Sequence, residues 1–220
     1  MRVLLVRRDD HEQDTLELIA QAEARGVDIW RGGPGDLRRL SREQLAADER
    51  RVVALLGPPP TAAIDDLLAR GGLCWLLHQI AYPSNVGFAV RTAEVSGADG
   101  VIVDAAFNHE QRARIDHVSM GASRLLPIVY HDTLDALDRA RATGVQTVAL
   151  EDVGAVAPWQ IDLRKPTLCV LGAERSGLPA AVLERCQHSV RVPMAGFVPS
   201  YNVQAVLAMI ASERLRQLGE

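Results

Sequence analysis

From residue 73 to residue 217, short apolar runs alternate with stretches of helical periodicity, and few architectures accept that order. The strand-like runs are 73–77, 101–103, 125–129, 146–150, 167–171 and 190–192, and the helical patterns fall at 86–96, 110–117, 132–142, 179–185 and 202–217. Runs such as Leu73-Cys74-Trp75-Leu76-Leu77 and Leu168-Cys169-Val170-Leu171 show no polar–apolar alternation, so both of their faces must be covered. Strands of that kind joined by helices predict an α/β fold, a mostly parallel sheet with helices on both faces.

The first part of the chain follows the same grammar on a smaller scale. Residues 2–6 read as a buried strand, and Leu16, Ile19, Ala20 and Ala24 share one face of a helix that Gly26 is placed to end. Residues 27–30 read as a second strand, Gly32 to Gly35 as a turn, Asp36 to Ala47 as a charged helix and 52–56 as a third strand. Gly57-Pro58-Pro59-Pro60 interrupts any regular structure. Two domains are therefore expected, a small α/β domain over residues 1–70, with a helix at 61–70 leading out of it, and a larger one over 71–220.

Composition excludes several classes. With 48% hydrophobic and 24% charged residues in 220, the chain buries a large core and needs neither disulfides nor a structural metal to fold. Cys74, Cys169 and Cys186 are odd in number and far apart, which reads as free thiols in a reducing, cytoplasmic setting. Residues 2–6 are too short for a signal or membrane segment, and no apolar run reaches membrane-spanning length. The net charge of −4 argues against nucleic-acid binding by bulk charge, although a local arginine footprint remains open, since every basic residue except Lys165 is arginine. The six histidines are scattered and predict no metal site. The dinucleotide, phosphate-loop and hydrolase-elbow patterns are all missing.

Three segments place polar residues and glycines where a buried element would reject them. The first, Tyr82 to Ala93, has Ser84 and Asn85 as helix-cap candidates and sets Arg91 among apolar neighbours. That arginine needs an anion or a carboxylate, and an ion pair with Glu94 or Asp99 would equally satisfy it. The second, Leu171 to Pro179, runs from an apolar strand into a glycine-bounded turn bearing Glu174, at the strand end where open α/β sheets bind ligands. The third, Val192 to Asn202, is an irregular loop fixed by Pro193, Gly196 and Pro199, with Ser200 or Asn202 capping the long helix that follows.

Taken in order, Asn85-Val86-Gly87 with Arg91-Thr92-Ala93, then Gly172-Ala173-Glu174-Arg175-Ser176-Gly177-Leu178, then Pro193-Met194 with Ser200-Tyr201-Asn202-Val203 resemble the three motifs of the TrmH (SpoU) family in the SPOUT superfamily of RNA methyltransferases. Ser119-Met120-Gly121-Ala122-Ser123 resembles the serine-and-glycine turn between the first two, and the likeness spans about residues 72–217. It implies a SPOUT-type sheet with a deep C-terminal trefoil knot, a homodimer, a shortened N-terminal RNA- or substrate-binding domain, S-adenosylmethionine as cofactor and RNA (rRNA or tRNA) as partner. Neither a metal nor a membrane is implied.

Carried over residue by residue, the resemblance assigns cofactor binding to Leu150, Gly172, Val192, Met194 and Tyr201, the last standing where the family has leucine. It assigns the chemistry to Arg91, Asn85, Glu174, Ser200 and Asn202. Arg91 would help the ribose 2′-hydroxyl lose its proton, and Asn85 and Glu174 would orient it. A guanidinium is essentially never neutral, so base and phosphate clamp both stand as readings. The expected activity is methyl transfer to a ribose 2′-hydroxyl. Two alternatives are a non-catalytic RNA-binding module and a methyltransferase with a non-RNA acceptor.

Overall fold

The computed structural model of the chain describes residues 3–41, 51–56, 60–198 and 200–220. It divides into two compact units, Met1–Pro59 and Pro60–Glu220. The expected helix beyond Ser41, the turn at 57–59 and Pro199 lie outside the described residues.

In the first unit, β1 (Val3–Arg7) is flanked by β2 (Asp28–Gly32) in parallel and β3 (Val52–Leu55) antiparallel. Leu4 and Val6 of β1 pack with Ile19 and Ala22 of α1 (Gln13–Glu23). Pro34 starts α2 (Pro34–Ser41) where the sequence suggested a turn, because its fixed φ suits the first helical position and the Asp36 carboxylate accepts the Gly33 N–H at 2.9 Å.

The second unit carries a six-stranded sheet of order β6-β5-β4-β8-β7-β9, every pair parallel. In chain order its elements are α3 (Ile64–Leu68), β4 (Leu73–His78), α4 (Pro83–Val95), β5 (Gly100–Asp104), α5 (His109–Val118), β6 (Ile128–Tyr130), α6 (Thr133–Ala142), β7 (Gln146–Leu150), β8 (Thr167–Leu171), α7 (Ala180–Leu183), β9 (His188–Val190) and α8 (Val203–Leu218).

The apolar runs sort by parity. Leu73, Trp75 and Leu77 of β4, with Val101, Val103, Val148, Cys169 and Leu171, pack against α4 and α8. Cys74, Leu76, Ile102, Ala149, Leu168 and Val170 point the other way, onto α3, α6 and α7. Trp75, Leu76 and Leu77 are fully buried in succession, as the double covering requires. The unit boundary falls at residues 59 and 60 and not at 70 and 71, because Ile64, Leu67 and Leu68 of α3 are buried in this second layer.

Several boundaries shift for local reasons. The strand expected at 125–129 is β6 at 128–130, because residues 122–124 form a 3-10 turn and Pro127 has no N–H to donate, only a carbonyl that accepts from Val101 at 3.0 Å. The strand expected at 190–192 is β9 at 188–190, and Val192 belongs to the irregular segment after it. Helix α4 begins at Pro83 with Tyr82 as N-cap, so Ser84 and Asn85 lie inside its first turn and do not cap it. Helix α8 is held against the β7–β8 connection. Gln217 accepts the Leu163 N–H at 2.8 Å and donates to the Ile161 carbonyl at 3.1 Å, and Arg214 donates to the Leu163 carbonyl.

Cys74 and Cys169 are buried and Cys186 half-buried, all as free thiols, and burial pushes Cys74 and Cys186 up to about 12. None has the character of a nucleophile. Among the described residues, no helix is long and apolar enough to cross a membrane, and no cluster of three or more His, Cys, Asp or Glu could hold a metal ion.

Candidate functional site

The strands run in the order β6-β5-β4-β8-β7-β9, and ligands in open α/β sheets bind beyond the carboxyl ends of the strands. A cleft of about 400 Å³ lies there, within the size range of small-ligand pockets. Its lining comes from the carboxyl ends of β7, β8 and β9 and from the 191–202 segment that leads into α8. The lining includes Leu150, Gly172, Val192, Met194 and Tyr201, the five residues expected to hold a cofactor, together with Glu174 and Ser200.

The turn after β8 is tightly folded. Ala173 and Gly177 form an antiparallel bridge, and the Gly177 N–H donates to the Ala173 carbonyl at 3.0 Å. A Cβ on Gly172 would lie 2.4 Å from the Gly177 carbonyl carbon and 2.7 Å from the Leu178 nitrogen, so the two limbs approach as closely as backbone allows. Gly177 itself has φ +62°, the left-handed region.

Glu174 on this turn is the hub of the polar residues. Its Oε1 accepts from Asn85 Nδ2 at 2.7 Å and its Oε2 from the Ala81 N–H at 3.1 Å, joining the start of α4 to the turn after β8. Asn202 Nδ2 reaches Asn85 Oδ1 at 3.5 Å, while its own Oδ1 accepts the Gln204 N–H at 2.9 Å and caps α8. Asn202→Ala is expected to lower unfolding free energy by about 1 kcal/mol, as loss of an N-cap does, and a thermal melt would register it. Tyr201 donates its hydroxyl to the Pro193 carbonyl at 3.3 Å, tying together the ends of the irregular loop.

Arg91 is not in this group. Its Nη1 meets Met120 Sδ at 3.0 Å, its side chain is exposed, and it does not line the cleft. The expectation that Asn85 and Glu174 orient it is therefore not met within one subunit. Six residues at about 100° each turn Arg91 by roughly 240° from Asn85 around α4, so the two side chains leave the helix on different faces. Nor is Asp99 its partner, since that carboxylate accepts the Gly72 N–H at 2.8 Å.

Sequence reasoning missed Glu151. It follows β7 directly, lines the cleft and accepts the Leu178 N–H. Burial pushes its carboxyl above the usual range, and the neighbouring Asp152 adds to that shift. The available signal was a pair of carboxylates, Glu151-Asp152, set at the carboxyl end of a wholly apolar strand.

The residues present suit an adenosyl cofactor. The cleft has apolar walls in Leu150, Val190, Val192 and Met194, a close-folded glycine turn, and three carboxylates, Glu151, Asp152 and Glu174, against the one guanidinium of Arg175, a balance that favours a cationic ligand. A doubly covered parallel sheet with a ligand-sized cleft at the carboxyl ends of β7, β8 and β9 has the form of a cofactor-binding α/β enzyme.

Comparison with known proteins narrows the class. The model of the SpoU rRNA Methylase family matches residues 72–212. The 23S rRNA (guanosine-2′-O-)-methyltransferase RlmB of Pseudomonas syringae is 32% identical over 205 residues, covering 90% of this chain and 77% of that one. The SpoU methyltransferase AviRb of Streptomyces viridochromogenes in complex with AdoMet superposes with a TM-score of 0.67 at 26% identity, covering 99% of this chain and 83% of that one. An AdoMet-bound rRNA methyltransferase of Sinorhizobium meliloti, 24% identical, shares the fold with a TM-score of 0.68 over 99% of this chain and 80% of that one. The chain belongs to the SpoU rRNA methylase family of the SPOUT superfamily, whose cofactor is S-adenosylmethionine.

Proposed function

We infer that this protein transfers a methyl group to a ribose 2′-hydroxyl of RNA, with ribosomal RNA as the leading substrate and tRNA as the other. The observation that carries the reading is the line Asn202–Asn85–Glu174, which joins all three sequence motifs beside the cleft by hydrogen bonds. The RlmB relative, at 32% identity, supports ribosomal RNA as the substrate class.

When bound, S-adenosylmethionine supplies a methyl group already activated on a sulfonium, so the chain need provide no electrophile. Leu150, Gly172, Val192, Met194 and Tyr201 would hold it, mostly through main-chain groups and apolar contact. What the chain must add is alignment of the acceptor hydroxyl and help in removing its proton. Glu174 fixes the relative positions of α4 and the cofactor turn, and Ser200 and Asn202 shape the entrance. Arg91 is assigned the hydroxyl or its neighbouring phosphate. Its exposure and its absence from the lining of its own cleft favour action at the cleft of a second subunit, and hence a homodimer.

The same reading includes a C-terminal trefoil knot. Support comes from the hydrogen bonds of Gln217 and Arg214 to residues 161–163, which set α8 against the β7–β8 connection. The three-stranded first unit is assigned RNA contact, and the setting is cytoplasmic, where such RNA is found.

The test is to incubate the protein with methyl-labelled S-adenosylmethionine and total RNA from a strain lacking the gene, digest the RNA and separate the nucleosides by mass spectrometry. Label in a 2′-O-methylated nucleoside is the expected result. Label in a base-methylated nucleoside, or no label in the presence of measured cofactor binding, overturns the reading.

A further inference from the structure

We propose that Glu151 is a positioning residue for the cofactor, its carboxylate holding the Gly172–Leu178 turn in the shape the cofactor meets. The proposal rests on the cofactor reading of the cleft.

Glu151 is well placed to act as an anchor. Its own N–H donates to the Val190 carbonyl at 3.0 Å and its carbonyl accepts from Gly154 at 3.2 Å, so its backbone belongs to the rigid β7–β9 framework. From there the side chain crosses to the turn and accepts the Leu178 N–H. A Cβ on Gly177 would come within 2.8 and 2.9 Å of the two carboxylate oxygens, so the carboxylate packs directly on the left-handed glycine. The turn is thus held at two places. Asn85 and the Ala81 N–H grip Glu174 near its tip, and Glu151 grips the limb that returns to α7.

A carboxylate is a stronger acceptor than a neutral carboxyl or amide, because the bond to N–H is charge-assisted. Burial raises the carboxyl of Glu151, so it gains its proton at a higher pH than an ordinary glutamate. As pH falls through that raised value, the Leu178 bond weakens and the turn loosens. The other charged or titratable groups that line the cleft with it are Asp152 beside it, Glu174 and Arg175 on the turn, and Tyr201 on the 191–202 segment.

The experiment is calorimetric titration of S-adenosylmethionine into the full chain from pH 8 down to about pH 4.5, the ordinary glutamate value, for wild type, Glu151→Gln and Glu151→Ala, each with a thermal melt to verify folding. Wild-type affinity is expected to fall about tenfold as pH drops through the raised Glu151 value, the difference between a charge-assisted and a neutral hydrogen bond. Glu151→Gln keeps an acceptor without a titrating charge, so its affinity should be flat with pH and close to the acid value of wild type. Glu151→Ala should be weaker still and equally flat. A Gln variant with the wild-type pH slope, or an Ala variant with wild-type affinity at pH 8, overturns the proposal while leaving the cofactor site standing. If Glu151→Ala does not fold, the Gln comparison decides alone. A wild-type protein that binds no S-adenosylmethionine at any pH overturns the reading of the cleft and this proposal with it.

Discussion

Arg91→Ala is expected to lower methyl transfer about 10³-fold while changing affinity for S-adenosylmethionine less than about twofold. Both halves follow from where Arg91 stands. It does not line the cleft, and its hydrogen bond runs to Met120 Sδ, so the cofactor in its own chain loses no contact with it. What disappears is the cation that would meet the hydroxyl or phosphate of the acceptor. Single-turnover rates together with calorimetric affinities check both parts. A variant that keeps a tenth or more of the wild-type rate would remove Arg91 from the mechanism.

Gly172→Ala is expected to do the reverse, abolishing cofactor binding at its source. The added Cβ would lie 2.4 Å from the Gly177 carbonyl carbon, 2.7 Å from its oxygen and 2.7 Å from the Leu178 nitrogen. All three are main-chain atoms, so no side chain can swing aside and the turn itself must open. Overpacking of this kind costs about 1–3 kcal/mol, and a melt should show it. Because the misplaced groups are those at the rim of the cleft, affinity should fall by about 100-fold or more, roughly the factor that 3 kcal/mol represents. Retention of wild-type affinity would mean that the turn is not part of the cofactor site.

The two variants together separate the subunit roles. When Arg91→Ala and Gly172→Ala protomers are mixed and exchanged, an arginine serving its own cleft leaves every site dead. An arginine serving its partner restores one site in each mixed dimer, about a quarter of wild-type activity for random pairing in a two-fold assembly.

Much of the site was legible because its residues break local rules. Glycines and a carboxylate after the apolar run 168–171, and an arginine among apolar neighbours at 91, are out of place in a simple packed element. Asn85 was misread for an equally local reason. Beside a proline it resembles a cap, yet Pro83 takes the first helical position and Tyr82 the cap, which frees the amide for Glu174. Glu151 escaped notice because carboxylates after a strand are ordinary until Leu178 is found against one of them.

The amino-acid sequence by itself determined the elements and their two-faced burial, since both are set by periodicities of 2 and 3.6 residues within a single segment. The odd and even positions of β4 each found the layer that alternation demanded. Only the tertiary structure decided the strand order, with β8 between β4 and β7, and with it the meeting of Asn85 with Glu174 and with Asn202. Those residues lie 89 and 117 positions apart along the chain, and contact across such distances depends on sheet register and loop path, which no local pattern specifies. The separation of Arg91 from that cluster was likewise a matter of helix phase and neighbouring packing, and it is the observation on which the proposed second subunit rests.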